Sequence, residues 1–416
     1  VSPGSPTHLD QATLRKFPAM SKPAAEPTSI GMCPPVGDDT HNTPKIQAHK
    51  SGWDCTNWDL DTQQPHGGQE WNTIPNFLED FSVTTNFLGP PRKALAACAG
   101  ALQHIEHYPA ANFEPAHSEL AAWIQPHDPA DVSARMMLGN GASELIDLVT
   151  RIGAHPGDFT VRSEAQYKEY ERAALADGRT MVAPTSENNF GIMALVNPCN
   201  PTGEYFTVER MKKYIEDTCS NNTTVLVDES MQLWLGPGWR EDSLVSQREW
   251  VRNLFETRDV SVYIIHSWTK IWSCPGLRLG SVVAPTPEHI AALKKHQVPW
   301  SLNVFALEFL SSAVKDDEFL QQTWQIVPRL RAQTSEQLVK MFPSWEVHGE
   351  AWLSWLWVDT KDTGVATEAV RLCKAAGVPI RNGGMGYNLP TFIRIKVASS
   401  EKTDVLLRAL EPLVGR

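Results

Sequence analysis

The sequence predicts an α/β protein built on a mostly parallel, seven-stranded sheet, with a smaller α+β domain at its C-terminal end. Three observations predict it. From residue 135 onward, short apolar runs alternate with amphipathic segments, the pattern of βαβ units around a parallel sheet. Polar, turn-forming segments stand where those runs end, at the carboxyl ends of strands, where open α/β sheets hold ligands. After residue 300 the pattern changes to two long helical stretches followed by a few more apolar runs.

Residues 1–62 are rich in Pro, Ser, Thr and Ala and lack apolar periodicity, which reads as an extended arm whose end is docked by Trp53 and Trp58. Pro90 and Pro91 start a helix that runs to about residue 105, and 118–124 reads as another. Strands are expected at 135–138, 159–162, 180–182, 192–196, 224–227, 261–266 and 281–284, with helices at 143–152, 167–176 and 207–219. Helices at 301–315 and 319–341 bridge to the smaller domain, which reads as strands at 345–347, 352–358 and 391–396 with a helix at 367–376. The expected division is therefore an arm (1–62), a large domain (63–300) and a small domain (301–416), with no internal repeat.

Composition narrows the function. Of 416 residues, 42% are hydrophobic and 20% charged, a globular balance long enough for two cores. A net charge of −11 argues against nucleic acid or an anionic membrane as the main partner. No apolar run approaches a membrane span. The chain opens on Val1, which reads as a processed or trimmed start, and no signal peptide is visible. Seven cysteines are scattered singly, without Cys-x-x-Cys pairs or a histidine cluster, so no metal site is expected and free buried thiols are. The odd count favours a reducing compartment, and the expected location is cytoplasmic.

The chemistry-bearing segments come in a fixed order. In Ser267-Trp268-Thr269-Lys270, one lysine stands just past an apolar run, with hydroxyls before it and Arg278 eight residues later. An apolar setting and a nearby cation favour a partly deprotonated amine, which a pyridoxal phosphate (PLP) Schiff base requires. Hydroxyls and a guanidinium suit a phosphate dianion. Alone, the segment fits a solvated strand-end lysine equally well. Upstream, Asn197-Pro198-Cys199-Asn200-Pro201-Thr202-Gly203 follows an apolar run, and Val227-Asp228-Glu229-Ser230 ends another on two acids. A buried strand-end acid needs a positive partner, and a protonated pyridine nitrogen is one. Asn200 could donate to the ring's phenolic oxygen. Separately these segments also read as a turn and a helix cap. Their ordered combination points to PLP.

With these motifs the chain resembles the class I/II (fold type I) PLP-dependent aminotransferases, and within them the branch of histidinol-phosphate aminotransferase and threonine-phosphate decarboxylase. The similarity covers about residues 66–412. The decarboxylase branch is echoed in His66-Gly67-Gly68, Asp80-Phe81-Ser82, Leu88-Gly89-Pro90-Pro91 and Glu169-Tyr170-Glu171-Arg172-Ala173. The resemblance implies the fold type I architecture and PLP as cofactor. Lys270 and Asp228 would be the catalytic pair. The phosphate would rest on Ala142 and Ser143 in Gly139-Asn140-Gly141-Ala142-Ser143, with Ser267 and Arg278. Tyr167 would stack on the ring, although the family's Pro-Thr before it is missing. Tyr108 would reach the phosphate of a neighbouring subunit, implying a homodimer with shared sites. Met231 stands where many relatives have a tyrosine that donates to the ring oxygen.

For the substrate, the resemblance implies that Arg394, on a strand pattern opposite Ile393 and Ile395, holds a carboxylate or phosphate. Arg381, before Gly383-Gly384-Met385-Gly386, matches a second arginine of phosphate-using relatives, although a solvated loop charge fits it as well. His66 and Asn86 are further candidate contacts, Asn86 in a loop that reads Thr84-Thr85-Asn86-Phe87 where the family has Asn-x-Asn-Pro. Two arginines suggest an amino donor with a further anionic group, with a 2-oxo acid as acceptor. The expected reaction is transamination. Decarboxylation of a phosphorylated amino acid is the alternative, and a non-catalytic sensing domain is disfavoured by the complete motif set.

Overall fold

A computed structural model describes residues 66–68, 70–183 and 190–415. The expected arm at 1–62, with Trp53 and Trp58, lies outside the described residues.

Seven strands form the large sheet: β1 (Met136–Asn140), β2 (Asp158–Val161), β3 (Met181–Val182), β4 (Phe190–Val196), β5 (Thr223–Asp228), β6 (Val260–Ser267) and β7 (Leu279–Val283). Their order is β1-β7-β6-β5-β4-β2-β3, and β7 alone runs antiparallel to its neighbours. The central strands are rich in β-branched residues and β4 and β5 are buried along their whole length, as a sheet covered on both faces requires. Alternation along them feeds two cores. Val225, Val227, Val262 and Ile264 face one, and Ala194, Leu226 and Ile265 face the other.

Register assembles the site. Val196 lies beside Asp228, and Asp228 beside Ile265, so β4 and β5 end level and β6 runs on to Ser267. The segments that leave those ends carry Asn200, Ser230 and Lys270. On the other flank Asn140 pairs with Leu279, which sets the turn after β1 against Arg278.

A second, wholly antiparallel sheet is formed by β8 (Glu346–His348), β9 (Trp355–Asp359), β10 (Arg381–Asn382) and β11 (Phe392–Lys396), in the order β10-β11-β9-β8. A 25-residue helix, Asp317–Met341, precedes it. Helices Arg248–Arg258, Pro287–Lys294 and Ser400–Leu410 add to those the sequence pattern singles out. Segment 129–135 is also helical, so the first strand begins at Met136 and Arg135 belongs to the preceding helix, its guanidinium paired with Asp131 one turn back. The five cysteines among the described residues are free thiols, four of them buried.

Candidate active site

Lys270 sits in the turn after β6. Trp268 and Trp272 are buried on either side of it, and the Trp268 indole donates to Ser281 Oγ at 3.0 Å. That anchoring commits the intervening lysine to the cavity at the strand ends. Burial, reinforced by Arg278 and Arg394, pulls its amine down to about 8. Asp228 is buried at the end of β5 in the same cavity, and burial pushes its carboxyl up. It accepts from Ser230 N at 2.9 Å. Among the described residues no lysine, arginine or histidine nitrogen lies within 4.0 Å of it, so this buried carboxylate lacks a positive partner in the protein.

The far end of the cavity is built for an anion. The helix Ala142–Leu148 is entered through Gly141 at φ 78°, and no side chain caps it. Ser143, which could have been a helix cap, is inside the helix instead, and with Ala142 it lines the cavity. A Cβ on Gly141 would stand 2.3 Å from Arg278 Nη2, so glycine lets the guanidinium lie against the turn. Ser267 and Thr269 complete this end, their hydroxyls 2.8 Å apart.

Tyr167 lies just ahead of the helix Glu169–Ala176 rather than within it, and lines the cavity. The His66 ring is 5.5 Å from it, and His66 Nε2 is 2.8 Å from Glu169 Oε1. Asn200 lines the opposite side. Its Oδ1 accepts from Arg394 Nη1 at 2.5 Å, and Arg394 Nη2 donates to Ser82 O. Arg394 is 5% exposed, and its Nε has no hydrogen-bond partner. Arg381 is directly opposite Arg394 in the β10–β11 register and lines a neighbouring cavity with His66, Asp80 and Ser82. Its guanidinium is 5.7 Å from the Tyr387 ring, so it is not a solvated loop charge.

One residue expected in this cavity stands elsewhere. Asn86 is 1% exposed and turned inward: Nδ2 donates to Ile271 O and Thr323 Oγ1, and Oδ1 accepts from Leu88 N. With its polar atoms engaged, it braces the lysine turn and does not line the cavity. Tyr108 is 77% exposed and stacks on Trp300 at 4.4 Å, outside this cavity.

Residues 80–410 match the family model described as aminotransferase class I and II. The chain belongs to that family. It is 28% identical over 342 residues to the histidinol-phosphate aminotransferase of Hyphomonas neptunium (strain ATCC 15444), covering 78% of this chain and 88% of that one. It is 25% identical over 345 residues to histidinol-phosphate aminotransferase 1 of Dechloromonas aromatica (strain RCB), covering 78% and 87%. Among solved structures, the fold is shared with the histidinol-phosphate aminotransferase of Sinorhizobium meliloti in complex with pyridoxal-5'-phosphate (TM-score 0.68, 20% identity, 81% of this chain and 91% of that one). It is also shared with L-threonine-O-3-phosphate decarboxylase of Porphyromonas gingivalis (TM-score 0.68, 18% identity, 82% and 100%).

PLP is the cofactor of this aminotransferase family, and the donor set fits it. A lysine near neutrality, a buried carboxylate lacking a cation and a cup of backbone N–H groups, hydroxyls and a guanidinium match an aldehyde, a pyridinium and a phosphate in turn. Ser230 and Thr269 line the cavity too; Thr269 is one of the hydroxyls before the lysine, and Ser230 is not singled out by the sequence. Both lie within the Asp-Glu-Ser and Ser-x-Thr-Lys segments, which were the available signal. Met231 lines the cavity with its apolar thioether. Among the described residues no helix is long and apolar enough to cross a membrane, and no cluster of His, Cys, Asp or Glu is arranged to hold a metal ion.

Proposed function

We propose that this aminotransferase takes its amino group from an amino acid or amino phosphate bearing a further anionic group and passes it to a 2-oxo acid, with Lys270 as the residue that links covalently to PLP. The observation that carries the substrate reading is the cross-strand pairing of Arg381 with Arg394. One arginine reaches the cofactor cavity through Asn200, and the other lines the cavity next to it. Two guanidiniums on adjacent strands suit two acidic groups on one molecule. The curated relatives named histidinol-phosphate aminotransferase are in keeping with an amino phosphate.

Bound in the cavity, PLP supplies an electron sink for the pair released when a bond to the substrate's α-carbon breaks. Around it, Asp228 would hold the proton on the ring nitrogen, and Tyr167 would cover the ring's face. Ala142, Ser143, Ser267 and Arg278 would fix the phosphate, and Asn200 would face the ring oxygen. Lys270, whose amine is pulled down to about 8, would take the α-proton and return it. Arg394 would align the donor's carboxylate.

Decarboxylation is the second reading. Met231 favours it, since it stands where many relatives have the tyrosine that donates to the ring oxygen, a tyrosine the decarboxylase branch also lacks. A homodimer is the expected assembly. Tyr108, Ile105, Leu102, Val298 and Trp300 are exposed apolar side chains on segments joined by the Tyr108–Trp300 stack, the kind of patch that a second subunit covers.

The test is a single-turnover incubation of holoenzyme with a panel of amino acids and amino phosphates. A 2-oxo product without carbon dioxide means transamination; carbon dioxide without a 2-oxo product means decarboxylation. If no dianionic donor outcompetes alanine, the two-arginine reading is wrong.

A further inference from the structure

A second pair of buried ionisable groups lies behind the cavity and is not used by the chemistry above. Glu229 follows Asp228, and strand alternation sends its carboxylate to the opposite face of the sheet. There it meets His266, the residue before Ser267. His266 Nε2 is 3.6 Å from Glu229 Oε2, and both side chains have 0% exposure. Glu229 also accepts from Leu244 N at 2.8 Å and from Ser243 Oγ at 2.5 Å. No lysine or arginine nitrogen among the described residues lies within 4.0 Å of it. The His266 ring lies flat on Trp268, centroids 4.7 Å apart and planes at 10°, and neither ring nitrogen has a hydrogen-bond partner.

Two successive residues thus bury two carboxylates, one on each face of the sheet. Each needs a positive partner to stay ionised. For Asp228 that partner comes from the cavity. For Glu229 the one group in place is the His266 imidazole. The N–H and O–H donors already on Glu229 complement a carboxylate, and the His266 ring is the side chain placed to balance its charge. We propose that Glu229 and His266 form a buried carboxylate–imidazolium pair that positions the proton shared by Asp228 and the cofactor's ring nitrogen. The inference rests on Asp228 facing that nitrogen. With the Glu229 charge balanced by His266, the shared proton stays outward, on the ring nitrogen, where it makes the ring an effective electron sink. Without the imidazole, the unbalanced Glu229 anion draws the shared proton back to Asp228.

The groups that bear on the pair can be named. From β5 comes Asp228, from the helix Glu169–Ala176 the Tyr170 hydroxyl near Asp228, and from the segment after β4 the Tyr205 hydroxyl, which feels the Glu229 charge and donates to Asp242. Lys270 and Arg278 stand on the cavity side. None of these replaces His266 at Glu229, so the pair acts through Asp228 and touches neither substrate nor cofactor.

The experiment uses holoenzyme loaded with PLP carrying 15N in the ring, whose chemical shift reports protonation of that nitrogen. The wild type is expected to show a protonated ring nitrogen at neutral pH. In His266→Gln its signal should move toward the unprotonated position, and kcat should fall roughly tenfold, the equivalent of one pK unit at Asp228, with KM nearly unchanged. The double variant His266→Gln/Glu229→Gln removes both charges, so its 15N signal and kcat should return toward wild type. An unchanged signal in His266→Gln, or a double variant as impaired as the single one, overturns the proposal. If His266→Gln does not fold, wild-type enzyme with 13C-labelled histidine decides. The His266 signals should be those of an imidazolium at neutral pH, and a neutral His266 ring overturns the pair. Asp228→Ala is the control: if it leaves the 15N signal unmoved, the assignment of Asp228 itself has failed.

Discussion

Arg394 Nη1 donates to Asn200 Oδ1 at 2.5 Å, so the candidate carboxylate receptor is tied to the candidate partner of the cofactor's ring oxygen. With its oxygen held by Arg394, the Asn200 amide has its N–H₂ group left for the cavity. Arg394 is in turn steadied by Ser82 O, which brings the segment after Asp80 to the same point.

Arg394→Ala should therefore weaken both ends. We expect kcat/KM to fall roughly a hundredfold, about 3 kcal/mol, as a charge-assisted contact is lost. Arg394→Lys should recover little, because a point charge cannot reach Asn200 and a carboxylate together. Steady-state kinetics with the preferred donor checks this; a lysine variant near wild-type rate would contradict it.

Asp228→Asn should cost far more turnover than stability. Burial raises the folded carboxyl's pKa. Its favourable contribution to stability is then present at acid pH and is lost as pH rises through the folded value. In cofactor-free protein at neutral pH the asparagine variant should melt no lower than wild type, while the holoenzyme's kcat drops sharply. Thermal melts of both forms, with rates alongside, provide the check.

Lys270 gives the opposite pH signature. Its amine is pulled from 10.5 to about 8, so the unfolded chain binds this proton more tightly than the fold does. The penalty is full below pH 8 and is relieved as pH rises toward 10.5. Cofactor-free Lys270→Met should be more stable than wild type at pH 7 by roughly 2–4 kcal/mol, with the gap closing in alkaline buffer. Denaturant titrations at several pH values measure it; a gap that widens with pH would refute the assignment.

Gly141→Ala should loosen the phosphate cup. The residue sits at φ 78°, and an added Cβ would meet Arg278 Nη2 at 2.3 Å. A cost of about 1–3 kcal/mol is expected from the backbone conformation alone, since φ 78° with ψ 166° is a region essentially reserved to glycine. PLP affinity should fall at least tenfold, measured by equilibrium dialysis against wild type.

Much of this site is legible in the sequence because its residues stand at strand ends. Once apolar runs mark β4, β5 and β6, the residues after them must converge, and Asn200, Asp228 and Lys270 do. Arg278 was readable from its spacing after the lysine. Asn86 was not legible, because its partner Thr323 is on a helix 237 residues away and only packing tells that its amide turns inward. Glu229 read as one of two acids closing a strand. Its separate partner on the other face depends on the β5–β6 register, which no local pattern reveals. Tyr108 is expected to act on another subunit, a role that the pattern within one chain does not encode.

The most direct test of the central claim is chemical trapping at Lys270. Purified protein incubated with PLP should turn yellow and bleach with borohydride, and peptide mass spectrometry should place the reduced cofactor on Lys270, with no label in Lys270→Met. A protein that stays colourless, or one whose label falls on another lysine, would contradict the account.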